Sequence, residues 1–224
     1  MTLEVWITRT PPGGEATARR VRAMGLGAVV APLLYPEAME LVPPAPDEDV
    51  IFTSTNGVRF FKGATGRTAW CVGEATAKAA RGAGFADVRV GPGDVAELAA
   101  RMTSELARPA VHWGGAHVRG DLVGELARAG HRVRRVVAYR ARAVEGCPVA
   151  KADVVLLHSS RAAQAYARLC TGRVRASVAI SAATDAPLSG TSGGLMRFVA
   201  DAPTEAAMLR TLREASAALE RGTL

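Results

Sequence analysis

The side chains best suited to chemistry in this sequence are hydroxyls and glycines that directly follow short β-branched runs. They occur as Thr8-Arg9-Thr10, Thr53-Ser54-Thr55-Asn56-Gly57, Gly73-Glu74-Ala75-Thr76, Gly114-Gly115, Ser159-Ser160 and Ser181-Ala182-Ala183-Thr184. In an open parallel sheet, ligands bind beyond the carboxyl ends of the strands, where helix N-termini offer unpaired N–H groups. Small residues let the backbone approach an anion there, and hydroxyls add donors to the amides. Each helix N-terminus contributes about 0.3–1 kcal/mol to a nearby anion, so several converging on a polycarboxylate add up to several kcal/mol. Ser, Thr and Gly are also ordinary N-cap residues, and any one of these turns reads first as a cap. The recurrence of the pattern in both halves of the chain is what points to a ligand.

Other catalytic arrangements are missing. There is no G-x-x-x-x-G-K-[ST], no G-x-G-x-x-G after a strand and no G-x-S-x-G at the end of an expected strand, where a nucleophile elbow would lie, which disfavours NTPase, dinucleotide and α/β-hydrolase chemistry. His112 and His117 lie five apart across a turn, a poor spacing for a metal pair. His131 reads as a surface residue and His158 as a strand-end residue. No pair of carboxylates stands out, and Asp47-Glu48-Asp49 reads as a solvated charge run. Cys71, Cys147 and Cys170 are odd in number, far apart and without C-x-x-C spacing, so neither a disulfide framework nor a zinc site is expected, and a reducing compartment is. A reaction that needs little side-chain chemistry suits such a chain.

The chain has 224 residues, 49% of them hydrophobic, and a formal net charge of +7 with a pI near 10.0. That excess suits nucleic acid, an anionic membrane or a polyanionic small molecule. Its arginines are spread from Arg19 to Arg161 instead of forming one arm, which favours the small molecule. Aromatic residues are only 5% of the chain and no nucleic-acid-binding motif is present, so nucleic acid ranks last. The N-terminus has no apolar signal region, and the longest apolar run, Ala28 to Tyr35, is far short of the ~20 residues that span a bilayer. Neither export nor membrane embedding is expected.

The elements that must position these turns alternate between strand and helix. Strands are expected at Val5 to Ile7, Ala28 to Leu34, Val50 to Thr53, Ala69 to Val72, Val88 to Val90, Ala110 to Trp113, Val133 to Tyr139, Val154 to Leu157, Val178 to Ile180 and Arg197 to Val199. Short alanine-rich helices lie between them. Asp94-x-x-Glu97 opens one with Val95, Leu98, Met102 and Leu106 on a single stripe; Asp121 opens another with Leu122, Val123, Leu126 and Ala129 inward and Gly130 at its end. Alternation of this kind builds parallel sheets. Ile7 aligns with Trp113, Asp49 with Asp153, Thr76 with Thr184 and Val90 with Val199, each pair about 104 to 109 residues apart, as two copies of one module would be. Two proline-bearing connectors, Tyr35 to Asp49 and Arg140 to Lys151, imply that the chain crosses between copies twice. Whether the halves are consecutive or interleaved stays open at this level.

Taken in order, these motifs resemble the uroporphyrinogen-III synthase family. The resemblance begins with Ile7-Thr8-Arg9 and Pro32-Leu33-Leu34, continues through Ile51 to Val58 and Val72 to Ala77, and extends through Gly114-Gly115, Arg119 to Leu122, Leu126, Gly130, Val136 to Tyr139 and Pro203-Thr204-Glu205. It covers almost the whole chain. It implies an α/β fold of two similar lobes, each a parallel sheet flanked by helices, interleaved and joined by two linkers. One lobe would comprise residues 1–35 with 148–224, the other residues 39–142, with linkers at about 36–48 and 140–150. The implied substrate is hydroxymethylbilane, a linear tetrapyrrole with eight carboxylates. The implied reaction is loss of its terminal hydroxyl to an azafulvenium cation, attack to a spiro intermediate, inversion of ring D and closure.

Tyr139 matches the family tyrosine that assists hydroxide departure; a phenol with a pKa near 10 can donate its proton at neutral pH. Packing at a strand end is its alternative role. Arg9, Thr53, Ser54, Gly73, Thr76, Gly114, Gly115, Arg119, Ser159, Ser160 and Thr184 are the residues expected to bind substrate, with Arg9 and Arg119 suited to bidentate carboxylate pairing. The resemblance implies no metal and no organic cofactor, a cytoplasmic monomer without nucleic-acid or membrane partners, and transient hand-over of substrate from hydroxymethylbilane synthase. Two departures stand out. His158 takes a position where the family commonly has serine, and Ser181 to Pro187 is an eroded form of its Ile-Gly-x-x-Thr-Ala turn, with Pro187 placed to break the following helix. Thr184 is therefore a weaker candidate than Thr76, and a non-catalytic tetrapyrrole- or polyanion-binding protein on the same fold is the alternative reading.

Overall fold

A computed structural model describes residues 2–222 apart from Thr65, Arg119, Ser192 and Gly193. In chain order its elements are β1 (Glu4–Ile7), α1 (Gly13–Arg22), β2 (Gly27–Val30), β3 (Leu34–Ala38), β4 (Asp49–Phe52), α2 (Thr55–Arg59), β5 (Thr68–Cys71), α3 (Glu74–Gly82), β6 (Asp87–Val90), α4 (Val95–Glu105), β7 (Ala110–Gly115), α5 (Leu122–Arg128) and β8 (Val133–Ala143). Then follow β9 (Val154–Leu157), α6 (Ser160–Leu169), β10 (Ala176–Ala179), α7 (Ala182–Asp185), a 3-10 turn at Ala186–Leu188, β11 (Met196–Val199) and α8 (Glu205–Arg221). The chain divides into two compact units, Met1–Tyr35 with Arg142–Leu224, and Pro36–Ala141.

The discontinuous unit holds a sheet of order β11-β10-β9-β1-β2 with every pairing parallel. Its central strands β9 and β10 are buried along their whole length and β1 all but at Glu4, as strands covered on both faces must be. Alternate side chains feed separate cores. Val5, Ile7, Val154, Leu156 and Val178 pack with Val21 of α1 and with Met208, Leu212, Ala215 and Leu219 of α8. Trp6, Val155 and Leu157 point the other way, onto Ala162, Ala163 and Tyr166 of α6 and onto Leu188.

The continuous unit holds the order β3-β8-β7-β4-β5-β6, parallel from β8 through β6. From β8 onward this is the order β2-β1-β9-β10-β11 repeated, and each pair aligned in the sequence falls in or beside matching strands or helices of the two sheets. The two copies are thus interleaved along the chain. Val50, Phe52, Cys71 and Trp113 face α2 and α3, while Ile51, Trp70 and Ala110 face Leu98 and Met102 of α4 and Leu122 and Leu126 of α5.

Several expectations need correction. The second strand stops at Val30, and Leu34 already belongs to β3. The connectors at about 36–48 and 140–150 begin as strand, because β3 runs to Ala38 and β8 to Ala143 as hydrogen-bonded neighbours. Ala129 is exposed at the end of α5, not inward, because the helix ends at Arg128. Asp49 is buried, since its carboxylate accepts the Trp70 indole N–H at 3.0 Å, and Glu48 grips Arg134 at 2.6 and 2.7 Å, so the charge run is not simply solvated. Cys147 and Cys170 form a disulfide across 23 residues of sequence, Cα to Cα 5.2 Å, because the approach to β9 runs beside the end of α6. Cys71 is buried and free, and burial pushes its thiol up to about 12. Pro187 does stop its helix: α7 has four residues where the matching α3 has nine.

Candidate active site

In the Pro36–Ala141 unit the expected hydroxyls and glycines converge after β4 and β7. Ser54 caps α2, its Oγ accepting the Gly57 amide at 3.3 Å, and it also shares a 3.0 Å hydrogen bond with the Tyr139 phenol. Tyr139 reaches it from β8 because Gly115 leaves room: a Cβ there would stand 2.9 Å from the tyrosine ring. Gly57 plays the same part for α2, where a Cβ would meet the Trp113 carbonyl oxygen at 2.7 Å. The Phe60 ring lies 5.3 Å from that of Tyr139, tilted by 30°. Ser54 follows the end of β4, Gly114 and Gly115 end β7, and Tyr139 pairs with Gly115 from within β8, so three adjacent strands gather these residues.

Thr53 joins them through a residue that sequence reading weighed only as a metal ligand. Its Oγ1 lies 3.1 Å from Nε2 of His112, which is buried in β7. Burial, helped by the nearby Arg135 charge, lowers His112 to about 4, so the ring is neutral at physiological pH. The available signal was its place two residues before Gly114 on a fully buried strand. No cluster of three or more His, Cys, Asp or Glu suited to a metal occurs among the described residues. Gly73 caps α3, and Thr76 is buried in that helix's first turn. Arg119 lies outside the described residues.

In the other unit a cavity of about 240 Å³ is lined by Thr8, Arg9, Thr10, His158 and Ser159, among others. Ser159 caps α6 by accepting the Ala162 amide at 3.2 Å, and the Ser160 hydroxyl donates to the Ala183 carbonyl at 2.8 Å. Thr184 is buried and its hydroxyl lies 3.2 Å from that of Ser181, the α7 cap. Arg9 pairs with Glu205 at 3.2 Å; Arg20 approaches the same carboxylate at 3.5 Å and the Thr17 hydroxyl donates to it at 2.6 Å. His158, its side chain 9% exposed, stands 3.5 Å from Glu205. Both its ring nitrogens are buried and lack a partner in hydrogen-bond geometry. The Glu205 carboxyl is held down to about 2, with His158 the largest contributor, opposed by burial and reinforced by Thr17 and Arg9.

A second cavity, of about 390 Å³, opens at Asp49, Thr68 and Asp87, which are the first residues of β4, β5 and β6. It lies at the opposite strand ends from the hydroxyls, and its Arg89 is tied to Asp87 and Glu105.

Two sheets that share one strand order from β8 onward, each with small hydroxylated turns after its strands, define a two-lobed α/β protein. The chain belongs to the uroporphyrinogen-III synthases: the family model described as "Uroporphyrinogen-III synthase HemD" matches residues 15–210. A uroporphyrinogen-III synthetase from Helicobacter pylori has the same fold, with a TM-score of 0.60 at 17% identity over 96% of this chain and 99% of that one. A mutant uroporphyrinogen III synthase from Thermus thermophilus is 16% identical over 96% of this chain and 98% of the other, with a TM-score of 0.47. Among curated proteins no relative matches. The family is one of enzymes acting on a small-molecule tetrapyrrole. Among the described residues no helix is long and apolar enough to cross a membrane.

Proposed function

We propose that this chain cyclises hydroxymethylbilane to uroporphyrinogen III as a lyase of the cyclising, hydro-lyase type, with Tyr139 as the acid. The observation that carries the assignment is the Ser54–Tyr139 hydrogen bond at 3.0 Å. Ser54 Oγ takes the Gly57 amide, which leaves the serine proton free to go to the phenol oxygen. The Tyr139 proton is then available to a departing hydroxyl, and the phenolate left behind is stabilised by the donor that remains. Ionisation gives the azafulvenium cation; attack, ring-D inversion and closure follow from how the tetrapyrrole is held, with no further side-chain acid required.

Thr53, with its hydroxyl oriented by neutral His112, and the backbone at Gly114 and Gly115 are proposed to bind the substrate. So are Gly73, Thr76, Arg9, Arg119, Ser159, Ser160 and Thr184, with Arg9 released from Glu205 when it takes a carboxylate. The net charge of +7 supports a polycarboxylate ligand. We take residues 1–35 with 148–224 and residues 39–142 as the functional lobes, and the chain as a cytoplasmic monomer that receives its substrate from hydroxymethylbilane synthase; the family's biosynthetic role supports that placement.

The test is incubation with enzymatically generated hydroxymethylbilane and separation of the product isomers. Type III product is expected; the spontaneous type I isomer alone refutes the assignment. Tyr139→Phe should slow turnover by about 10²-fold or more while changing stability by no more than about 1 kcal/mol, the net worth of one neutral hydrogen bond. A wild-type rate in that variant removes Tyr139 from the mechanism.

A further inference from the structure

We infer that Cys147 and Cys170 form a reversible thiol–disulfide site that exchanges with a low-molecular-weight thiol through Cys147 and, when bridged, pins the connector between β8 and β9 onto α6. Their Cα atoms are 5.2 Å apart, inside the roughly 4.4–6.8 Å that a disulfide spans without moving the backbone. Both lie in the discontinuous unit, so the device belongs to that unit alone.

The three cysteines differ in how a reagent can reach them. Cys170 is completely buried at the end of α6, its amide donating to the Tyr166 carbonyl at 2.8 Å. Cys71 is buried and free in the other unit, and burial pushes its thiol up to about 12, so it stays protonated. Cys147 is half-buried, between exposed Gly146 and exposed Pro148. A thiolate attacks the disulfide sulfur to which it has access, so exchange enters at Cys147. The S–S bond breaks, and Cys170 leaves with the electron pair and takes up a proton. A second thiolate then attacks the sulfur now bound to Cys147, carries it off as a low-molecular-weight disulfide and leaves Cys147 to take the second proton. Two thiols thus supply two electrons and two protons, and a low-molecular-weight disulfide reverses both steps.

Each state has a place in the fold. Cys147 Sγ lies 3.3 Å from the Val149 carbonyl, which accepts the thiol proton once the bridge is open. On either side of Cys147 the chain is anchored by other means: the Val144 amide donates to the Leu33 carbonyl at 3.1 Å, the Ala152 amide donates to the Arg173 carbonyl at 3.1 Å, and Val149 and Ala152 are buried. A chain of this size with a continuous core does not depend on a staple as small secreted domains do. The contribution of the bridge is local. Glu145, Gly146 and Pro148 are exposed, and the bridge ties this stretch to the helix end. It also closes a loop that contains β9 and α6, which restricts the unfolded chain.

For the test, the full chain is equilibrated in mixtures of reduced and oxidised glutathione, its free thiols are blocked by alkylation, and the bridged fraction is read by mass spectrometry. The bridge should close in the oxidising mixtures and open in one matching a reducing cytosol. A bridge that survives that mixture, or a pair still reduced in the most oxidising one, overturns the inference. In Cys170→Ala, oxidised glutathione should add to Cys147. Where that variant does not fold, the mixed disulfide is trapped with acid during reduction of the wild-type chain and located by peptide mapping. An adduct at Cys71 or Cys170 instead denies entry through Cys147. The wild-type thermal midpoint should be higher by about 6–12 °C in the oxidising mixture than in the reducing one, and Cys147→Ser should abolish that difference. Trypsin should cut after Lys151, which is exposed, several times faster in the reduced chain. Equal midpoints and equal cleavage in the two wild-type states would mean that the bridge pins nothing. None of these readouts involves the tetrapyrrole reaction, so the site and the proposed function stand or fall separately.

Discussion

His112 shows how one side chain ties stability to chemistry. It stays neutral in the fold because burial beside Arg135 lowers its pKa from 6.5 to about 4. Between those values the unfolded chain binds a proton that the folded chain does not, so stability falls as pH falls through that window. The loss is of order 3 kcal/mol, and urea midpoints at pH 7 and pH 4.5 should show it in the wild type and much less of it in His112→Asn. Equal acid sensitivity in both would deny the buried neutral ring. At this scale the sequence revealed residue types better than partnerships. Ser54, Gly114 and Gly115 are legible because they follow β-branched runs, and Tyr139 through the family resemblance, but the Ser54–Tyr139 bond spans 85 residues and no local pattern specifies it. Burial of Asp49 depended on an indole 21 residues away, and the Cys147–Cys170 bond on a helix end 23 residues on. Such pairings are settled by the path of the chain between strands.

Elements were more legible than residues, because periodicity is local. The Asp94 and Asp121 caps and the stop at Pro187 follow from spacing and turn chemistry, and Thr204 at the start of α8 from the family resemblance. The strand expected to run from Ala28 to Leu34 was misread because apolarity continues past the last ladder bond: Leu33 is buried as core, outside any strand. What no element-level pattern reveals is that α8 begins with a carboxylate gathering Arg9, Arg20 and Thr17. With its pKa held near 2, the ionised Glu205 stabilises the fold above the unfolded value of 4.5, and that contribution disappears as pH falls through about 2. Glu205→Gln should therefore cost about 1–3 kcal/mol at pH 7, read as a lower thermal midpoint, and the gap to wild type should close at pH 2. A gap that persists unchanged in acid would mean that packing, not charge, is what the substitution removes.

For the molecule as a whole, the internal repeat was the decisive clue, since matching offsets of strands translate directly into matching strand orders. Consecutive and interleaved halves give the same offsets, which is why the arrangement needed the fold to decide it. The continuous unit owns all the strands from β4 to β7 and nearly all of β8, so a fragment of residues 36–141 should fold alone with a cooperative thermal transition. A chain cut after residue 141 should keep that transition and leave its first 35 residues unstructured; a featureless melt of the 36–141 fragment would show that the unit is not autonomous. The division also has a consequence on the ribosome. Val5, Trp6 and Ile7 pair with β9, whose residues emerge about 150 positions later, so at about 5–20 residues per second this apolar segment waits roughly 8–30 s for its neighbour. The nascent chain completes its middle before its beginning, and a trigger-factor-like holdase or a slowed codon stretch should act on the first 35 residues more than on any others.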